Sequence, residues 1–162
     1  MVKLTGKNRI KTAVFISGAG SNLKNLIKFS KYNKSPIQIK CVISDNKYAK
    51  GLGYARKFRI EKKVFRFDKE YKNEKKILHF LKKNQIFLIC LAGFMKILSK
   101  NFIKRFNGKI LNIHPSLLPK YKGLNTHQRV IDNNEKFSGC TVHFVNSKLD
   151  SGKIILQKKV KV

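Results

Sequence analysis

At 162 residues and 42% hydrophobic content, the chain can bury one core and shows no composition break that would divide it. No apolar run is long enough to span a bilayer, and the basic segment 1–12 lacks the apolar stretch of a secretory signal, so the expected location is the cytoplasm. Against 37 Lys and Arg stand only 8 Asp and Glu, a net charge of +29.

A surface of that sign attracts anions. The lysines are scattered over nearly every segment, however, and do not form one block interleaved with aromatics. A solvated basic surface is therefore favoured over dedicated nucleic-acid binding, while the same field draws in small phosphorylated or polycarboxylate ligands. Cys41, Cys90 and Cys140 are odd in number, widely spaced and set in apolar runs. They read as buried small hydrophobes, not as a disulfide framework or a CxxC metal site.

Taken in chain order, residues 1–10 form a basic N-terminal extension and 11–162 a single domain. Thr12 to Ser17 predicts a first buried strand. Ser17-Gly18-Ala19-Gly20-Ser21-Asn22-Leu23 follows, a glycine turn opening a helix on which Leu23, Leu26 and Ile27 recur at helical spacing. Such a turn lets backbone N–H groups approach an oxyanion at the positive end of a helix. Leu23 occupies the third glycine position of a dinucleotide fingerprint, so Asp45 is not read as a ribose-binding acid. Gly20, Ser21 and Asn22 suit a terminal phosphate, and Ser21 or Asn22 could equally serve as a plain N-cap.

Ile37 to Ser44 predicts a second strand, Ala49 to Phe58 a helix, Lys63 to Phe67 a short strand, and Tyr71 to Lys83 a helix with Ile77, Leu78 and Leu81 on one face. Ile86 to Leu91 is an unbroken apolar run that suits a central strand covered on both sides. Lys109 to Ile113 is the next strand, Thr126 to Asn133 a short helix, and Thr141 to Val145 and Ile154 to Val162 the last two strands. Alternating strands and helices predict an α/β fold, a Rossmann-like, doubly wound, mostly parallel sheet.

The chemistry concentrates in Asn112-Ile113-His114-Pro115. A strand projects residues i and i+2 to one side, so Asn112 and His114 can face one reacting atom. Pro115 denies the ladder its next N–H and leaves the imidazole at the sheet's mouth, where open α/β sheets bind ligands. Alone, an Asn-x-His is most simply two polar residues satisfied at a strand end. Leu149-Asp150-Ser151-Gly152 places a scarce carboxylate in a turn between the last two strands. Taken alone it is a turn-forming Asp, but with Asn112 and His114 it completes an amide, imidazole and carboxylate set. No Ser or Cys stands in a nucleophile elbow and no metal-ligand spacing occurs, which leaves proton transfer and oxyanion stabilisation. His143, alternating within a strand, reads as structural; His127 lies on the helix after the loop 119–123, and His79 on a helix surface.

These stretches, ISGAGSNL at 16–23, LAGFMKILS at 91–99, ILNIHPSLLPKYKG at 110–123, and GCTVHFV with LDSGKIILQ within 139–157, resemble the glycinamide ribonucleotide formyltransferase family of folate-dependent enzymes. The resemblance runs in order from Lys11 onward. It implies the formyltransferase fold and transfer of a formyl group from the co-substrate 10-formyltetrahydrofolate to the amine of glycinamide ribonucleotide in purine biosynthesis. Carried over by position, Asn112, His114 and Asp150 are the catalytic trio, and Gly20, Ser21 and Asn22 hold the substrate phosphate. Met95, Lys96, Ile97, Leu98, Asn112, Val145 and Asp150 line the folate pocket, with no metal. Lys96 stands where some relatives carry Arg, which keeps the charge and loses the planar fork.

Members of the family usually continue past the strand matching 154–162 into a further loop and a helix that covers the sheet, so the domain is expected to be C-terminally short. The expected partners are the two small molecules, with no membrane, nucleic acid not favoured, and a monomeric or homodimeric state. Alternative readings are another formyl-folate enzyme, methionyl-tRNA formyltransferase or formyltetrahydrofolate hydrolase, and a catalytically silent nucleic-acid-binding scaffold.

Overall fold

The computed structural model describes residues 9–67 and 72–162. Among these, strands β1 (Ile10–Ile16), β2 (Ile37–Ser44), β3 (Glu61–Val64), β4 (Leu88–Leu91), β5 (Lys109–His114), β6 (Phe137–Phe144) and β7 (Ile154–Lys161) form one sheet in the order β3-β2-β1-β4-β5-β6-β7. The first five run parallel, while β6 is antiparallel to both β5 and β7. The helices are α1 (Ser21–Ser30), α2 (Leu52–Lys57), α3 (Glu74–Lys83), α4 (Lys100–Arg105) and α5 (Thr126–Asp132).

Alternation along β1 explains why helices lie on both faces. Ala13 and Phe15 join Ile77 and Leu81 of α3 and Phe102 of α4, whereas Val14 and Ile16 join Leu23 and Ile27 of α1 and Leu52 and Ala55 of α2. A bulge in β2 shifts the register so that Thr12 pairs with Ile39 and Ala13 with Cys41. Lys40, the extra residue, stays exposed, and Ile39 and Val42 thereby reach the same face despite their odd spacing. Burial raises the thiols of Cys41, to about 12, and Cys90, to about 11, as expected of cysteines that serve as core hydrophobes.

The expected doubly wound, mostly parallel sheet is present, with β2 at its predicted bounds. Other boundaries moved. The first strand opens at Ile10, two residues early, held by the Ile10 amide donating to the Pro36 carbonyl. The predicted helix 49–58 narrows to Leu52–Lys57, the short third strand falls at Glu61–Val64, and the start of the helix predicted from Tyr71 lies outside the described residues. In the apolar run at 86–91 the strand itself is Leu88–Leu91, and Phe87, hydrogen-bonded to both neighbouring strands, is 53% exposed at the sheet's lower margin.

Helix α4 has no counterpart in the predicted elements. Only Phe102 of its residues is buried, too little for a periodic signal, although the Ser99 hydroxyl caps it by accepting from the Phe102 amide at 2.9 Å. Ser99 in turn contacts the Glu74 carboxylate at the head of α3, which joins the two helices. No described helix is long and apolar enough to cross a membrane.

Phe15, fully buried at the sheet centre, packs edge-on against Phe94 at 5.4 Å and Phe67 at 6.3 Å between centroids. Phe15→Ala is expected to lower unfolding free energy by about 3–5 kcal/mol, read from urea unfolding monitored by circular dichroism. A loss below about 1 kcal/mol would contradict this packing.

Candidate active site

The strand order reverses between β1 and β4, and their outgoing chains leave toward opposite faces, which opens a crevice at the carboxyl ends of the strands. Two loops meet there. The Ser17 amide donates to the Gly93 carbonyl at 3.0 Å, and the Met95 amide to the Ser17 hydroxyl at 2.8 Å. The glycine turn and the segment 92–99 are thus stitched together at their roots.

Gly20 adopts φ 76° immediately before α1, and a side chain on it would sit 2.5 Å from the Gly51 Cα. Glycine is required twice over, by conformation and by the packed loop before α2. No side chain caps α1 and its first turn holds no acid, so its leading N–H groups present positive potential to the crevice. Ser21 is exposed and Asn22 half-buried beside them. The turn has the form expected of a phosphate cradle.

Register carries the crevice across the sheet. Phe15 pairs with Leu91, Leu91 with Asn112, and Asn112 with His143. Asn112 therefore lies two strand spacings from the end of β1, about 10 Å. Because Asn112 and His143 are directly opposed on antiparallel strands, their side chains share a face, with Asn112 Nδ2 3.2 Å from His143 Nε2. His114, two residues on, shares that face as well.

Asp150 closes the cluster from the turn before β7. Its Oδ2 lies 3.4 Å from His114 Nδ1 and accepts from the Gly123 amide at 2.9 Å. Oδ1 lies 3.6 Å from His143 Nε2 and accepts from Asn112 Nδ2 at 3.4 Å. Asp150 itself is held at φ 43°, a left-handed conformation that Asp tolerates better than most residues. Gly152 makes the turn possible, since a Cβ there would strike the Phe144 carbonyl.

Partners fix the proton positions. His114 Nε2 is 2.8 Å from the Tyr121 carbonyl and Nδ1 faces Asp150, so each ring nitrogen has an oxygen acceptor beside it. His143 Nδ1 donates to the Phe144 carbonyl at 2.9 Å, leaving Nε2 to accept from Asn112 when neutral or to pair with Asp150 when protonated. Burial alone would lower the His143 pKa, but the Asp150 contact, the Phe144 carbonyl and the Asp150 charge together raise it. Burial pushes Asp150 upward, and the His143 contact, the Gly123 amide and the two imidazoles outweigh it, so that its carboxyl is held below the ordinary value.

The structure thus brings together Asn112, His114 and Asp150, and adds His143, which sequence alternation alone had assigned to packing. At 1% exposure His143 is buried, but against the carboxylate. Its signal was its position opposite Asn112, which only strand pairing reveals. Of the expected folate-lining residues, Met95 and Ile97 are 63% and 65% exposed, while the Leu98 side chain is packed in the core. The Val145 amide donates to the Ile110 carbonyl, and its side chain also packs on the core. His127, on α5, takes no part in the hydrogen bonds or ion pairs of the cluster.

An open α/β sheet with an uncapped helix start at its switch point and a carboxylate–imidazole–amide cluster nearby suits group transfer through oxyanion stabilisation and proton relay. The chain belongs to the formyl transferase family, whose pattern it matches over residues 10–162. It is 47% identical to the phosphoribosylglycinamide formyltransferase of Haemophilus influenzae, over 94% of this chain and 73% of that protein. It is also 44% identical to the human trifunctional purine biosynthetic protein adenosine-3, where 96% of this chain aligns with 16% of the relative. The crystal structure of phosphoribosylglycinamide formyltransferase from Anaplasma phagocytophilum superposes with a TM-score of 0.88 at 41% identity, covering 94% of this chain and 72% of that one.

The Asp150–imidazole pairing makes stability depend on pH with a definite sign. The share resting on raised His143 is complete below its ordinary 6.5 and is lost as pH climbs through the raised value. The share resting on depressed Asp150 is complete above its ordinary 3.8 and is lost as pH falls through the depressed value. The melting-temperature gap between wild type and Asp150→Asn should therefore be widest between pH 3.8 and 6.5 and narrow on either side. A gap independent of pH would refute the pairing.

Proposed function

We propose that this chain transfers a formyl group from 10-formyltetrahydrofolate to the primary amine of glycinamide ribonucleotide. The observation that carries the reading is the convergence of Asn112, His114 and Asp150 about 10 Å across the sheet from an uncapped α1 N-terminus. That separation suits a substrate whose phosphate and nucleophilic amine sit at opposite ends of one small molecule.

In this reading the amides of α1, with Gly20, Ser21 and Asn22, hold the phosphate. The exposed Met95 and Ile97 offer an apolar bed for a flat heterocycle, with Lys96, the Leu98 backbone, Val145 and Asp150 completing its pocket. When the amine adds to the formyl carbon, negative charge develops on the carbonyl oxygen. Asn112 Nδ2–H and a His114 ring N–H are the available donors. His114 Nε2–H, engaged by the Tyr121 carbonyl here, exchanges that oxygen for the oxyanion. Asp150 orients the imidazole and accepts the proton shed by the amine, which passes to the departing folate nitrogen directly or through water.

Glu135 and Arg129 prepare this geometry by holding the loop that bears Tyr121. Glu135 accepts from Lys120 at 2.7 Å and from the Tyr121 hydroxyl at 2.9 Å, and Arg129 donates to the Lys122 carbonyl at 2.7 Å. We place the enzyme in the cytoplasm, as its free and largely buried cysteines suggest. The other formyl-folate readings and the silent scaffold have less support, since the relatives reported above are named for the glycinamide reaction or for purine synthesis.

The test is formyl transfer by the purified chain, following the folate product with glycinamide ribonucleotide and with no acceptor. Acceptor-dependent turnover is expected, and turnover without acceptor would favour hydrolysis instead. Asn112→Ala, His114→Ala and Asp150→Asn should each lose roughly 100- to 1,000-fold in kcat while remaining folded. Wild-type turnover in any of them would remove that residue from the mechanism. Gly20→Ala should act differently, raising the KM for the ribonucleotide more than that for folate, because it displaces the phosphate turn against Gly51.

A further inference from the structure

The fold gathers a subset of the lysines that look scattered in sequence. Parallel strands and antiparallel helices place the starts of β1, β2, β4 and β5 and the ends of α1, α3 and α4 on the rim opposite the candidate active site. Arg9, Lys11 and Lys109 stand at strand starts there, Lys28 and Lys31 at the end of α1, Lys82 and Lys83 at the end of α3, and Lys104 and Arg105 at the end of α4.

The described carboxylates lie elsewhere. Asp45 follows β2, Glu74 opens α3, Asp132 and Glu135 precede β6 at the upper end of β5, and Asp150 is in the candidate active site. Glu61 stands level with Cys41, partway up the far edge of the sheet. None of the ion pairs among described residues engages a rim cation.

Last-turn lysines complement helix dipoles, which accounts for some of these charges individually. It does not account for the strand-start cations or for what lies among them. Arg9, Lys11, Gln85, Phe87 and Lys109 line a recess of about 330 Å³, in which Phe87 is 53% exposed. The Phe87 amide donates to the Lys11 carbonyl and its carbonyl accepts from the Lys109 amide, so the ring's backbone is fixed between two cationic residues. Arg9 donates to the Ser30 and Asn33 carbonyls at 3.0 and 3.1 Å and thereby draws the end of α1 to this margin. With that end come Phe29 and Tyr32, 45% and 66% exposed and edge-on at 6.4 Å.

We propose that this rim binds single-stranded nucleic acid, as a second property of an active enzyme. Phosphates would be held by Lys11, Lys109 and the helix-end cations, and bases would stack on Phe87 and on the Phe29–Tyr32 pair. A polyanion of any kind fits the charge, but only a strand with open base faces uses the aromatics, and a duplex hides them. The rim lies at the opposite end of the strands from Asn112 and His114, so the two activities do not compete for residues.

The experiment measures fluorescence anisotropy of a labelled oligouridylate of about 20 nucleotides with the full chain across a salt series, beside a duplex of equal length and inorganic polyphosphate. Lys11→Glu/Lys109→Glu should weaken oligouridylate binding by about 10-fold or more and flatten the salt dependence. Phe87→Ser should weaken it about 5-fold or more while leaving polyphosphate affinity unchanged. Lys158→Glu/Lys161→Glu, the same charge change on exposed β7, should cost less than about 3-fold. Retained formyl transfer reports folding, and Lys104→Glu/Arg105→Glu replaces the first pair should that variant unfold. Absence of oligouridylate binding, equal loss from the β7 pair, equal affinity for the duplex, or indifference to Phe87→Ser would overturn the proposal.

Discussion

The arrangement of the candidate site depends on one buried carboxylate. Asp150 meets two imidazoles and accepts a backbone amide, so three other parts of the chain converge on its two oxygens: β5, β6 and the loop before α5. A carboxylate with so little water must be compensated by charge and hydrogen bonds, and here the compensating groups are themselves the candidate chemistry. The same requirement that makes the turn stable therefore orients both imidazoles and raises the pKa of His143.

A second constraint is topological. The reversal of strand order at β1 and β4 creates the crevice, and the in-register row from Phe15 through Leu91 and Asn112 to His143 sets the span between anion cradle and proton relay. Thr141 extends this logic to the loop beyond His114. Its hydroxyl donates to the Ser116 carbonyl at 2.6 Å and accepts from the Leu118 amide and from Gln157 of β7. The antiparallel pair β6 and β7 thus braces the segment that the Asn-x-His-Pro strand end leads into.

Much of this was legible beforehand where a local signal coincided with a tertiary role. The glycine turn, the Pro-terminated strand and the scarcity of acids each singled out residues that the fold then gathers. Signals failed where structure rests on few buried atoms or on distant pairing. Helix α4 buries only Phe102, β6 begins at Phe137 because residues 137–140 pair with β7, and Gly139 admits the Lys158 carbonyl where a side chain would clash. Phe87 read as core because its neighbours are apolar, yet it precedes β4 and emerges at the margin.

The sequence by itself determined the α/β alternation, the parallel core, the residue types of the site and the family likeness, because periodicity, turn chemistry and motif order are properties of neighbours along the chain. Tertiary structure alone decided that His143 opposes Asn112, that Asp150 reaches both imidazoles, and that cations distant in sequence, Arg9, Lys11 and Lys109 among them, share one rim with Phe87. Those facts depend on register and on which end of each helix meets which edge of the sheet, and neither is written in any local stretch of residues.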